Sequence, residues 1–160
     1  MNNYKIEIKW AFLFILMILV WMGLERLTGL HDVHIDKHSI YTNLVAIPSI
    51  AIYTLALLDK RKNFYSGFMT YKQGLLFGII MTLVIAVLSP FSQIVVIKLI
   101  TPDYFTNIIE YSVSSGKSTR EVAESYFNLK NYIIQSLIGA VVMGFLTTAI
   151  VAIFTQKKGK

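Results

Sequence analysis

The chain reads as an all-α protein. The expected fold is a bundle of four transmembrane helices, with a short extracytoplasmic helical hairpin between the third and fourth spans. Three observations lead there. Hydrophobic residues make up 55% of the chain and charged residues only 15%, whereas a soluble domain carries about 25% charged residues. The charges are clustered, leaving four long stretches without Asp, Glu, Lys or Arg. Lys and Arg are also divided unevenly between alternate connections. A length of 160 residues suits a single integral membrane domain over 1–160.

The first uncharged stretch is residues 10–24, between Lys9 and Glu25. A helix needs about 20 mostly apolar residues to cross the hydrocarbon layer. The first span is therefore expected at about 6–27, with Lys5, Lys9 and Arg26 reaching the headgroups along their aliphatic stems. A basic start before an apolar run is also how a secretory leader begins. The following "WMGLERLTGL" is bulky and charged, without a small-residue cleavage pattern, so an uncleaved anchor is expected. Glu25 and Arg26 read as an interfacial pair.

The remaining spans are expected at about 39–58, 73–98 and 131–155. Pro48 lies in the second and Pro90 in the third. Each removes a donor and displaces the carbonyl four residues earlier, at Leu44 and Ala86. Ser49, Ser89 and Ser92 are the nearby hydroxyls that can serve those carbonyls. The prolines read as packing kinks; the sharper alternative is a gated or substrate-lining bend.

Gly74 and Gly78 form a GxxxG pair, and Ala140 and Gly144 a small-xxx-small pair. Small residues let membrane helices approach closely. The third and fourth spans run antiparallel, so Gly78 should lie level with about Ile150, with Thr148 and Ala152 as its natural neighbours. Ala140 and Gly144 are expected to face another helix or another subunit.

The connection before the last span can fold as two short helices. Thr101 can cap the first, with Pro102 in its opening turn. Tyr104, Phe105, Ile108, Ile109 and Val113 share its apolar face. "SSG" breaks it, and Ser118 with Glu121 has the spacing of a capping box. Val122, Tyr126 and Leu129 are expected on one face of the second. "SGKST" resembles a phosphate-binding loop only superficially. The glycine required five positions before Gly116 is Tyr111, and no buried strand precedes it, so no nucleotide is expected.

Orientation follows from Lys and Arg in short loops. Nine fall on the side of Lys5, Lys9, the "DKRK" run and the C-terminal lysines; six fall on the other. Both termini are therefore expected in the cytoplasm. The net charge of +6 is explained by this topology, not by nucleic-acid binding. The basic residues of "DKRK" and "QKKGK" are expected to lie against anionic lipid.

"GLHDVHIDKH", residues 29–38, holds all three histidines of the chain and two aspartates. It should lie outside, between the first two spans. In a continuous helix, His31, His34 and His38 would share one face, an arrangement that suits a late transition metal. Asp36 is then the best fourth ligand. The bland reading is a structural or interfacial loop, and it is preferred here. Asp32 and Asp36 follow the same backbone and cannot easily stand behind all three rings. A pH-responsive contact is the third reading. The absence of cysteine excludes disulfides and thiolate ligands.

The layout, together with "LALLDKRKNFYSGFMTYKQG" entering the third span, resembles a bacterial membrane family called domain of unknown function 4199, found mainly in Bacteroidota. The resemblance covers nearly the whole chain. It implies four spans, a polar outer segment before the last, and the inner membrane of a Gram-negative bacterium. It supplies no catalytic residue. The histidine-rich first outer loop departs from the shorter, histidine-poor loop of many members, so the resemblance assigns the histidines no family-wide reaction.

The expected function is that of a non-enzymatic accessory or scaffold subunit, without cofactor, in contact with lipid and with a membrane partner or further copies of itself. No span has a charge at its centre, which argues against ion-coupled transport. A small oligomeric transporter is the first alternative, using Thr82, Gln93, Gln135, Thr147 and Thr148 as its polar path. An envelope metal or pH sensor is the second. No nucleophile–base pair or acid pair can be placed from the sequence.

Overall fold

The computed structural model describes residues 4–157; Lys158 and Lys160, counted above among the inner lysines, lie outside them. The order is α1 (Lys5–Leu27), α2 (Ile35–Tyr41), a 3₁₀ turn (Thr42–Val45), α3 (Ala46–Asn63), α4 (Tyr71–Val95), a π-helical turn (Val96–Ile100), α5 (Tyr104–Ser114), α6 (Arg120–Tyr126) and α7 (Leu129–Thr155). Four helical segments are long and apolar enough to span a membrane: Lys5–Leu27, Ile35–Asn63, Tyr71–Ile100 and Leu129–Thr155. The fold is thus an all-α bundle of four such helices, with the short α5–α6 hairpin at one end. That end, which also carries the α1–α2 turn, is called the hairpin end below; the opposite one is the terminal end.

The most extensive pairing joins α4 and α7, and glycine makes it possible. A Cβ on Gly78 would lie 2.2 Å from Thr148 Cγ2, so only a bare backbone fits there. Ala152 packs one turn away, against Gly74. Gly144 does not face a separate subunit: it opens room for Thr82 and for the Tyr53 hydroxyl. Tyr53 and Thr82 share a buried hydrogen bond of 2.9 Å, linking α3 to α4 in the middle of the bundle. Around this core the surface is apolar. Phe12, Leu16 and Val20 on α1, and Val87 and Phe91 on α4, are more than half exposed, as lipid-facing positions should be.

The two prolines behave differently. Pro90 lies inside α4, and Ser89 Oγ donates to the freed carbonyl of Ala86 at 3.0 Å. Pro48 is no interior kink. A 3₁₀ turn precedes it and α3 begins only at Ala46, so Pro48 sits in the first helical turn, where a missing N–H costs little. Ser49 Oγ donates to Val45 O rather than to Leu44.

At the terminal end, charges turn inward. Lys60 Nζ donates to Glu7 Oε1 at 2.8 Å, with both side chains buried. Phe64 lies beneath the same ammonium, its ring centre 3.9 Å away. Arg61 Nη1 donates to the carbonyl of Thr155, closing the end of α7. Of the three bases expected against lipid here, only Lys62 is exposed; Arg61 is half-buried and Lys60 buried. The physical reason is that helix ends expose carbonyls and buried acids need partners.

Other sequence expectations for the hairpin shift by a few residues. Thr101 ends the third span instead of capping α5, which starts after Asp103. Thr119, not Ser118, caps α6 by accepting from Val122 N. Gly116, at φ +69°, reverses the chain after α5, with Lys117 N donating to Ser112 O. This turn is what "SSGKS" builds. α5 lays Tyr104 and Ile108 against Ile35, Val96 and Ile97, so its apolar face meets the bundle. α6 buries only Ala123 and leaves Val122 and Tyr126 exposed.

Candidate functional site

Two features of the bundle have the makings of a site. The first grows from the end of α1. Gly29 adopts φ +78°, a conformation that L side chains avoid. Gly29 N donates to Arg26 O and Leu30 N to Glu25 O, the pattern of a helix closed by a left-handed residue. The chain therefore doubles back immediately, and His31 returns over the last turn of the helix it has just left. His31 Nε2 stands 3.0 Å from Glu25 Oε2. One turn into α2, His38 Nε2 reaches the same oxygen at 3.3 Å.

Glu25 Oε1 accepts a hydrogen bond from Trp21 Nε1. The Tyr104 hydroxyl from α5 lies 3.4 Å from His38 Nδ1, and its ring meets both imidazoles edge-on at about 5 Å between centres. Asn107 Nδ2 donates to the His31 carbonyl at 2.9 Å. Burial pushes the Tyr104 phenol above its ordinary value, and Tyr132 and Glu25 beside it add to the shift, so Tyr104 faces the cluster as a neutral O–H. Glu25 and His31 are each 2% exposed. Two buried ring nitrogens, His31 Nδ1 and His38 Nε2, find no hydrogen-bond partner among the described residues.

This arrangement differs from the one the spacing suggested. His31 and His38 come together, but His34 and Asp36 are exposed and join nothing at the cluster. Residues 28–34 form turns and α2 starts only at Ile35, so the i, i+3, i+7 relation has no continuous helix to act through. Glu25 takes the place imagined for Asp36. It does not pair with Arg26, which is exposed. The one signal for Glu25 in the sequence was Gly29 four residues on, which predicts a reversal of direction.

The second feature is a cleft of about 520 Å³ between the hairpin-end halves of α3 and α7. Its walls include Ala46 and Ser49 on α3 and Ser136, Gly139, Ala140 and Met143 on α7; Phe14 and Ser89 belong to its floor. A Cβ on Gly139 would meet nothing within 4 Å. Of the expected polar path, Gln93 and Thr147 reach the cleft. Thr82 and Thr148 are fully buried elsewhere, and Gln135 is exposed on the outer surface of α7. The hydroxyls of Ser89 and Ser136 each donate to a carbonyl of their own helix, and that of Ser49 to Val45 O in the turn before α3. Among the described residues, no charged side chain lines the cleft.

Four apolar helices, a polar hairpin before the last, and a match to a family model over residues 9–157 coincide. The chain belongs to the DUF4199 family, described as a protein family of unknown function. No curated protein and no solved structure matches it. Membership in DUF4199 accounts for the layout and brings no activity with it, so the chemistry has to be read from the two features above.

Proposed function

We propose that this DUF4199 protein is a non-enzymatic accessory subunit of a bacterial cytoplasmic membrane, with both termini in the cytoplasm, and that it receives a partner's transmembrane helix in the α3–α7 cleft. The cleft is the observation that carries this reading. Membrane helices associate by close packing of small side chains. Ser136 and Ala140 stand one turn apart on one wall, with Gly139 beside them, and Ala46 and Ser49 form the other. The lack of any acid or base in the lining supports a role in packing over catalysis or ion coupling. The division of Lys and Arg between the two ends supports the orientation.

Gln93 and Thr147 in the lining favour, as a second reading, a small transporter in which another copy of the chain closes the cleft. One experiment separates the two. A photoreactive residue replaces Met143, which is exposed within the cleft, and is activated in native membranes. The accessory reading expects an adduct on a spanning segment of a different protein, lost when Gly139→Trp fills the cleft. An adduct on a second copy supports the transporter, and adducts to lipid alone overturn both.

A further inference from the structure

We infer that Glu25, His31 and His38 form a binding site for one late transition-metal ion, with Zn²⁺ the best fit, independent of the α3–α7 cleft. One ligand atom from each residue lies within 4.8 Å of the other two. The carboxylate oxygen stands 3.0 and 3.3 Å from the two Nε2 atoms. In a tetrahedral zinc site with bonds of about 2.0–2.1 Å, neighbouring ligand atoms lie about 3.3 Å apart. Both oxygen–nitrogen distances already lie near that spacing, and the two imidazole nitrogens lie within 4.8 Å of each other. Two imidazoles and a carboxylate are a zinc ligand set that leaves a fourth position for water. Hard cations such as Ca²⁺ and Mg²⁺ seek oxygen ligands instead.

The surroundings support coordination specifically. His38 Nε2 is buried and lacks a hydrogen bond although it points at Glu25, and an ion would give it a partner. Trp21 occupies Glu25 Oε1, leaving Oε2 as the coordinating oxygen. Tyr104 lies behind His38 at Nδ1, where an outer partner fixes the orientation of a ligating ring. The three ligands come from α1, the turn after it and α2, and Tyr104 comes from α5. An ion would therefore pin the α1–α2 turn against the last turn of α1, with α5 packed behind His38.

The test uses the full chain, purified in mild detergent without a polyhistidine tag and titrated with Zn²⁺ against a chromophoric chelator. The expected result is about one Zn²⁺ per chain, weakened more than about 100-fold in His31→Ala and in His38→Ala. Tyr104→Phe, which keeps the ring but removes the hydroxyl, should weaken binding by about 10-fold. His34→Ala and Asp36→Asn should bind as the parent does. Co²⁺ in place of Zn²⁺ should give the visible bands of a four-coordinate ion. Should His31→Ala misfold, His38→Ala decides alone, because His38 is partly exposed on a short helix. Absence of stoichiometric Zn²⁺ in the parent, binding unchanged in His38→Ala, or equal loss in His34→Ala overturns the site.

Discussion

Lys60 on α3 and Glu7 on α1, 53 residues apart in sequence, form an ion pair of 2.8 Å that is almost wholly buried at the terminal end. Among the described residues Glu7 Oε2 has no hydrogen-bond partner, and the ammonium of Lys60 is the charge that faces this carboxylate. Removing one member of a buried pair strands the other charge at a cost of about 3–5 kcal/mol. Lys60→Met should therefore lower the thermal midpoint in detergent sharply. Adding Glu7→Gln should recover most of the loss, since no stranded charge is left. A Lys60→Met protein as stable as the parent would show that the pair is dispensable.

The contact of Gly78 with Thr148 predicts a coupled pair of substitutions. Gly78→Ala places a methyl within 2.8 Å of Thr148 Cβ, an overpacking that typically costs about 1–3 kcal/mol. Thr148→Gly removes the obstruction, so the double variant should be more stable than the sum of the two single losses allows. Strict additivity in a double-mutant cycle would mean that α4 and α7 do not meet as described.

Gly29 is required for its backbone conformation. An L side chain in the left-handed region costs about 1–2 kcal/mol, and a Cβ here would also lie 2.6 Å from Val33 Cγ2. Gly29→Ala should lower the thermal midpoint, and Gly29→Asn should lower it less, because asparagine tolerates this region better. Equal stability of Gly29→Ala and the parent would remove the turn as the device that returns His31 to Glu25.

Sidedness is directly testable because the chain contains no cysteine. Ser115→Cys, at the exposed tip of the α5–α6 hairpin, should react with an impermeant maleimide on intact spheroplasts. Lys62→Cys, exposed at the terminal end, should react only after the membrane is opened. The reverse labelling pattern would invert the proposed topology.

Local pattern alone determined the four long apolar helices of this protein. An uncharged apolar run of sufficient length has few alternatives to a spanning helix, because a backbone in hydrocarbon must satisfy its own hydrogen bonds. The antiparallel register of α4 and α7 was legible for the same reason: helix rise converts position into depth, and it placed Gly78 beside Thr148. The service of Ala86 O by Ser89 could also be read, since both groups belong to one helical turn. Other relationships were decided only by tertiary structure. Glu25 meets His31 and His38 because the turn at Gly29 folds the chain back on α1, and because α5 packs Tyr104 over the rings. Asp36 and His34, nearer in sequence to the other histidines, were left in solvent when α2 began at Ile35. Lys60 and Arg61 turned from lipid toward Glu7 and the end of α7 for a related reason. Periodicity tells a segment how to fold, but a buried polar group is satisfied by whichever partners the packed helix ends bring within reach.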